Sequence, residues 1–155
     1  MKKIILCGAV AATLSACATG PSQTGDKPIT YNNTIKQIMA DRCMKCHGPD
    51  APLIADFDKN KEKFKEQDIG PRMDTHANVM TFINGSDAGA LMRRLDDGKN
   101  TKDGKPGNMY VKLSADDAER AARLELFKKW IGPWNLKKRP DWTAEDLAAV
   151  KAPKD

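Results

Sequence analysis

Five consecutive residues, Cys43-Met44-Lys45-Cys46-His47, constrain this chain more than any others. They end a stretch with helical periodicity. Ile35, Ile38, Met39, Arg42, Cys43 and Cys46 fall at i, i+3, i+4, i+7, i+8 and i+11, which is one face of a helix. Asn33 or Thr34 is the expected cap at its start, and Gly48-Pro49 the expected stop. On such a turn two sulfurs three residues apart share a face, and an imidazole follows at once. Which chemistry this serves depends on the compartment.

The N-terminus answers that. Lys2 and Lys3 precede a mostly apolar run from Ile4 to Ala16, too short for a stable membrane span, which needs about 20 residues, but suited to a secretory signal. The run closes on Leu14-Ser15-Ala16-Cys17, which resembles a bacterial lipobox. That resemblance implies that residues 1–16 are removed and that Cys17 is lipidated as the first mature residue. The alternative is an ordinary signal peptide cleaved nearby, with Cys17 a free thiol. Several acyl chains on Cys17 would anchor the protein firmly to a membrane. Residue 18 is Ala, not Asp, so by resemblance to the enteric sorting rule nothing holds it at the inner membrane. The periplasmic face of the outer or inner membrane is the expected location. Residues 17–30 are rich in Gly, Pro, Ser and Thr without periodicity, and read as the lipidated Cys17 and a flexible tether.

In an exported chain, Cys-x-x-Cys-His reads as c-type haem attachment, with Cys43 and Cys46 as thioether donors and His47 as proximal iron ligand. A thioredoxin-like pair would need a βαβ context, which the pattern lacks. A zinc site normally needs four ligands, and the mature chain offers only Cys43, Cys46, His47 and His76 once Cys17 carries lipid. A disulfide across two intervening residues would be short and strained. One motif and two histidines point to one haem.

The rest of the chain contains no sustained period-2 run and no internal repeat. Residues 49–71 read as mostly loop, with a short solvated helix within 58–67. Thr75–Asn84 suits a helix, Ser86 is the expected cap of another ending at Gly98, and 99–107 is a loop. Ser114 to Asp117 resembles a capping box opening a helix that runs to about Ile131, before Gly132-Pro133. Leu124, Phe127 and Ile131 form one stripe on it, and Ala118, Ala122, Leu126 and Trp130 an adjoining one, which predicts a broad buried arc. Thr143 to Asp146 repeats the cap pattern before a last short helix. The expectation is an all-α domain of three to five helices at 31–132 and a C-terminal extension at 133–155. Trp134 and Trp142 are expected to pin that extension to the domain.

These features together resemble a class I monohaem cytochrome c. The resemblance covers about Thr34 to Ile131: an N-terminal helix leading into Cys43-x-x-Cys46-His47, a middle helical region, a Met on a loop, and a C-terminal helix. It implies a cytochrome c-like fold around one covalently bound haem c. It also implies that Met109, after Lys105-Pro106-Gly107-Asn108, is the distal iron ligand; Tyr110 follows it where the family often has Pro. Competing donors are Met73 and His76, the latter giving a bis-histidine haem. Met80 and Met92 lie in expected helices and read as core. The family's proximal loop maps onto Pro52-Leu53, which implies that the Pro52 carbonyl accepts the His47 N–H and that Leu53 packs on the ring.

The resemblance implies an electron carrier that exchanges single electrons with redox partner proteins, rather than an enzyme. A haem sensor or gas-binding protein with an open or displaceable sixth position is the alternative, and a small peroxidase a third. Lys128, Lys129, Lys137, Lys138 and Arg139 are a candidate docking cluster, although cations also suit the end of a helix. Removing residues 1–16 takes away Lys2 and Lys3, leaving 24 of 26 basic residues against 21 acidic, so the formal charge of +5 falls to +3. Signs are mixed along the chain, unlike the concentrated basic stripe of a nucleic-acid binder. Haem and lipid would use every cysteine of the mature chain, leaving the haem as the covalent staple of a small domain.

Overall fold

In a computed structural model that describes residues 27–155, the stripe leading to the motif starts earlier than the spacing predicts. Thr30, not Asn33 or Thr34, is the N-cap. Its Oγ1 accepts the Asn33 N–H at 3.2 Å, and Asn33 Oδ1 accepts the Thr30 N–H at 2.9 Å. This reciprocal pair satisfies two backbone donors that an Asn33 cap would leave exposed. A single π-turn, Tyr31–Ile35, then runs into α1 (Lys36–Arg42). Ile35, Ile38 and Met39 are buried. At Cys43 the backbone departs from helical values (φ −115°, ψ −30°), and α2 (Met44–His47) restarts as one turn that ends at Gly48.

Two short helices lie in the span 49–71: α4 (Lys61–Glu66), within the short helix expected at 58–67, and before it α3 (Ile54–Lys59), where a loop was expected. Phe57 and Phe64 stack between them with ring centroids 5.8 Å apart, a contact that gives this charged segment its apolar seam. Helix α5 (His76–Ile83) falls within the span expected for it, and Thr75 caps it through the Asn78 N–H. Helix α6 (Ala90–Leu95) starts later than expected. Gly89 stands at its N-cap, because residues 85–89 form a turn of their own in which Gly89 N–H reaches the Ile83 carbonyl. Ser86 is exposed and caps nothing there.

Helix α7 (Asp117–Ile131) is the longest. Its cap is Asp116, whose Oδ1 accepts the Glu119 N–H at 2.7 Å; Ser114 instead contacts the Glu119 carboxylate. The buried arc is narrower than expected. Leu124, Phe127, Trp130 and Ile131 are buried, whereas Ala118 and Ala122 face solvent, because the 31–42 segment covers this helix along one side only. Arg123 ties α7 to α1 through Asp41 at 2.8 Å. Among the described residues there is no strand, and seven α-helices stand within 31–132, where three to five were expected. They are more numerous because most are one or two turns long, broken at Cys43 and Asn60.

The segment after residue 132 packs into the same core. It carries α8 (Ala144–Ala149), opened by a Thr143–Asp146 capping box. Trp142 and Ala152 belong to the buried cluster. The last residues lie between the end of α7 and the N-terminal turn: Ala152 N–H donates to Trp130 O, Tyr31 N–H and Trp130 Nε1–H both donate to Pro153 O. Replacing Trp142 with Ala is expected to lower unfolding free energy by about 3 kcal/mol, the usual result of truncating a buried aromatic, read as a lower urea midpoint. An unchanged midpoint would show that the tail packs without contributing stability.

Candidate haem site

Helix α2 has too few residues to satisfy its own backbone, and its orphan carbonyls define the site. Residues 70–73 run beside it. Gly70 N–H donates to Cys46 O at 2.9 Å, and Met73 N–H donates to His47 O at 2.9 Å. Between these two bonds the Pro71 carbonyl lies 2.6 Å from His47 Nδ1. A carbonyl can only accept, so Nδ1 carries the proton and Nε2 presents its lone pair. Such bonding fixes tautomer and ring orientation in a metal-ligating histidine.

This corrects the assignment of Pro52. The Pro52 carbonyl already accepts the Arg72 N–H at 2.8 Å, so it holds the 70–73 segment rather than the imidazole. Gly70 is required by contact: a Cβ there would lie 2.1 Å from His47 Cε1. Gly70 and Pro71 are the two site residues that sequence reasoning missed. The only local signal was a Gly-Pro pair after a charged helix, which carries no mark of its distant partner.

The imidazole resists protonation. Burial lowers its pKa most, the Pro71 hydrogen bond opposes that, and the Arg94 guanidinium lowers it further. A neutral imidazole is the form that binds metal. Cys43 and Cys46 are unpaired and half-buried. Burial pushes the Cys43 thiol up to about 11 against the opposing influence of Arg42 and Arg123, so it is protonated at neutral pH and unlike a reactive thiolate. Among the described residues no three His, Cys, Asp or Glu side chains converge as a metal cage. Two thiols one turn apart and one lone-pair nitrogen suit a group that brings its own iron, and in this respect the residues fit haem c.

The backbone around Met109 is held from two sides. Upstream, Gly107 N–H donates to Asp96 O at 2.8 Å, Met109 N–H donates to Arg94 O at 3.0 Å, and Arg94 Nη1–H donates to Asn108 Oδ1 at 2.9 Å. The approach at Gly107 is close: a Cβ there would meet the Arg93 and Arg94 carbonyl oxygens at 2.3 Å. Downstream, a 3-10 turn at Tyr110–Lys112 follows, and the Lys112 carbonyl accepts Arg42 Nε–H at 3.1 Å. Arg42 immediately precedes Cys43. The loop is thereby tied to the end of α1, directly before the motif.

Of the competing donors only His76 is engaged through its ligating side chain, whereas Met73, Met80 and Met109 alike are half-buried against the core. His76 Nε2–H donates to Ala152 O at 2.9 Å, and its ring packs edge-on to Tyr31 and Trp130. Met92 is fully buried in the core. Met80 is half-buried against that core. Met73 is hydrogen-bonded through its backbone to His47 itself. Leu53 caps α3, is 51% exposed, and lines a cleft of about 260 Å³ with Ile54, Arg72 and Phe82. Within the candidate docking cluster, Lys128 pairs with Glu125 and Lys137 with Asp146, which neutralises two of its five cations. Residues 1–16 and Cys17 lie outside the described residues.

Comparison with known proteins bears on the same span. Residues 30–153 match the family model described as PccH cytochrome c. Among solved structures, the chain is similar to the monohaem cytochrome PccH from Geobacter sulfurreducens. Identity is 48% and the TM-score 0.76, over 82% of this chain and 99% of that one. No match was found among curated proteins.

Proposed function

Because the chain belongs to the PccH cytochrome c family and so carries one covalently bound haem c, we propose that it is an electron carrier tethered by lipid on Cys17 to the periplasmic face of a bacterial membrane. Cytochromes of this family are typically carriers rather than enzymes. When bound, the haem supplies a one-electron iron couple. Cys43 and Cys46 hold it, and His47, oriented by Pro71, ligates on the proximal side.

Met109 is the distal ligand in this reading. The observation that carries it is the double tie of its loop, to Arg94 on one side and to Arg42 on the other. A thioether ligand raises the potential relative to a second imidazole. Leu53, exposed beside the motif, supplies apolar surface for the ring. Redox partners meet the protein through transient contacts steered by charge.

The test is optical and biochemical. The pyridine haemochrome is expected to be c-type, the oxidised protein to show the weak near-infrared sulfur-to-iron band, and the untreated reduced protein to exclude carbon monoxide. Ready carbon monoxide binding would favour the gas-binding alternative. Cys17→Ser is expected to move the protein from the membrane fraction to the soluble periplasmic fraction with its spectrum unchanged. Continued membrane association of that variant would refute the tether.

A further inference from the structure

Asp96 is fully buried and is not itself a candidate iron ligand. It sits at the end of α6, where its carboxylate accepts four hydrogen bonds. Oδ1 takes the backbone N–H of Gly98 at 2.8 Å and of Asn100 at 3.3 Å. Oδ2 takes Asn100 Nδ2–H and Trp134 Nε1–H, both at 2.8 Å. Two carboxylate oxygens offer about four acceptor positions, so this one is filled. The same residue's backbone carbonyl accepts Gly107 N–H, two residues before Met109. One buried residue thus joins α6, both ends of the 98–107 loop, and the segment after residue 132.

We propose that Asp96 is a positioning residue for Met109, and that through Trp134 the C-terminal segment governs how firmly the sixth iron position is held. The proposal rests on Met109 being the distal ligand. The loop from Gly98 to Lys105 is rich in exposed polar residues and has few apolar contacts of its own. Thr101 and Asp103 make hydrogen bonds inside the loop, but its attachment to the core at both ends runs through Asp96, by the carboxylate at Gly98 and Asn100 and by the backbone carbonyl at Gly107. Lengthy loops of this kind open locally unless they are clamped. Opening at Gly107 leaves Met109 held by its bond to Arg94 O without the support of the bond before it, and a thioether held less firmly exposes the iron to external ligands more often. The Trp134 ring is itself fixed from outside by Lys128, 5.9 Å from its centre. The clamp therefore extends from the surface of α7 to the ligand loop.

Two variants of the holoprotein test this. Asp96→Asn keeps the shape but sets an amide donor against two of the four donors whichever way it turns. Trp134→Phe keeps an aromatic ring and removes the Nε1–H donor together with part of the indole. For Asp96→Asn, amide exchange at Gly107 and Met109 is expected to rise about tenfold, while Phe127 in α7 stays unchanged. Carbon monoxide uptake by the reduced protein rises about tenfold, and the sulfur-to-iron band weakens. Trp134→Phe shifts the same readouts in the same direction by a smaller factor, and decides the matter alone if Asp96→Asn does not fold. An unchanged band and uptake rate in these variants would overturn the proposal. So would exchange that rises equally at Phe127, since that reports general loosening. Failure of the underlying ligand assignment shows separately, as a band that persists in Met109→Ala.

Discussion

A protein with both Cys43 and Cys46 replaced by Ala retains no haem after denaturation in acid and organic solvent, whereas the parent keeps its haem on a denaturing gel. The measurement is haem staining together with intact mass. The expectation follows from where the sulfurs lie. They are unpaired, half-buried and one turn apart, Cys43 at the break and Cys46 within α2. Nothing else in the described residues offers a thiol. Each single variant should keep one thioether and show an altered haemochrome, so the series separates two bonds from one. The double variant also tests the haem as structural staple. Among the described residues no disulfide links distant parts of the chain, and α2 is a single turn. Without covalent haem its thermal midpoint is expected to fall by more than that of Trp142→Ala. Haem that survives denaturation in the double variant would refute the attachment assignment.

Met109→Ala is expected to abolish the sulfur-to-iron band and to open the reduced iron to carbon monoxide. The midpoint potential should fall by on the order of 0.1 V, part of the roughly 0.8 V range that axial ligands span. The direction follows from replacing a thioether, which favours the reduced iron, by water or a harder donor. Met73→Leu and Met80→Leu are the controls and should leave band and potential in place. Met73 is held beside the proximal histidine and Met80 lies against the core. His76→Phe should likewise keep the band, because that imidazole serves the Tyr31–Trp130 cluster and the tail. Its cost is stability, since the Ala152 carbonyl loses its donor. A band lost in Met73→Leu or Met80→Leu but kept in Met109→Ala would reassign the ligand.

The two halves of the site differ in how they are written. Cys43, Cys46 and His47 fall within one turn, so their relation is a matter of local backbone geometry, and five letters suffice to state it. The helix start governed by a side chain three residues from its partner was legible for the same reason at Thr143. Ser114 misled because Asp116 lies nearer the first turn and offers the stronger acceptor to Glu119 N–H. The proximal hydrogen bond was misplaced by a larger margin. Pro71 is 24 residues from His47, and its carbonyl is chosen because the Gly70 and Met73 amides bind α2 on either side of it.

The sequence alone therefore determined the covalent chemistry, the all-helical class and the family, since each depends on residues close along the chain or on periodicity within one helix. Tertiary structure decided which carbonyl orients His47, how the 133–155 segment enters the core, and what clamps the Met109 loop. Those outcomes depend on pairings such as Trp134 with Asp96, separated by 38 residues. A buried donor must find some acceptor, but which one it finds is set by how the helices pack, and no local pattern encodes that choice.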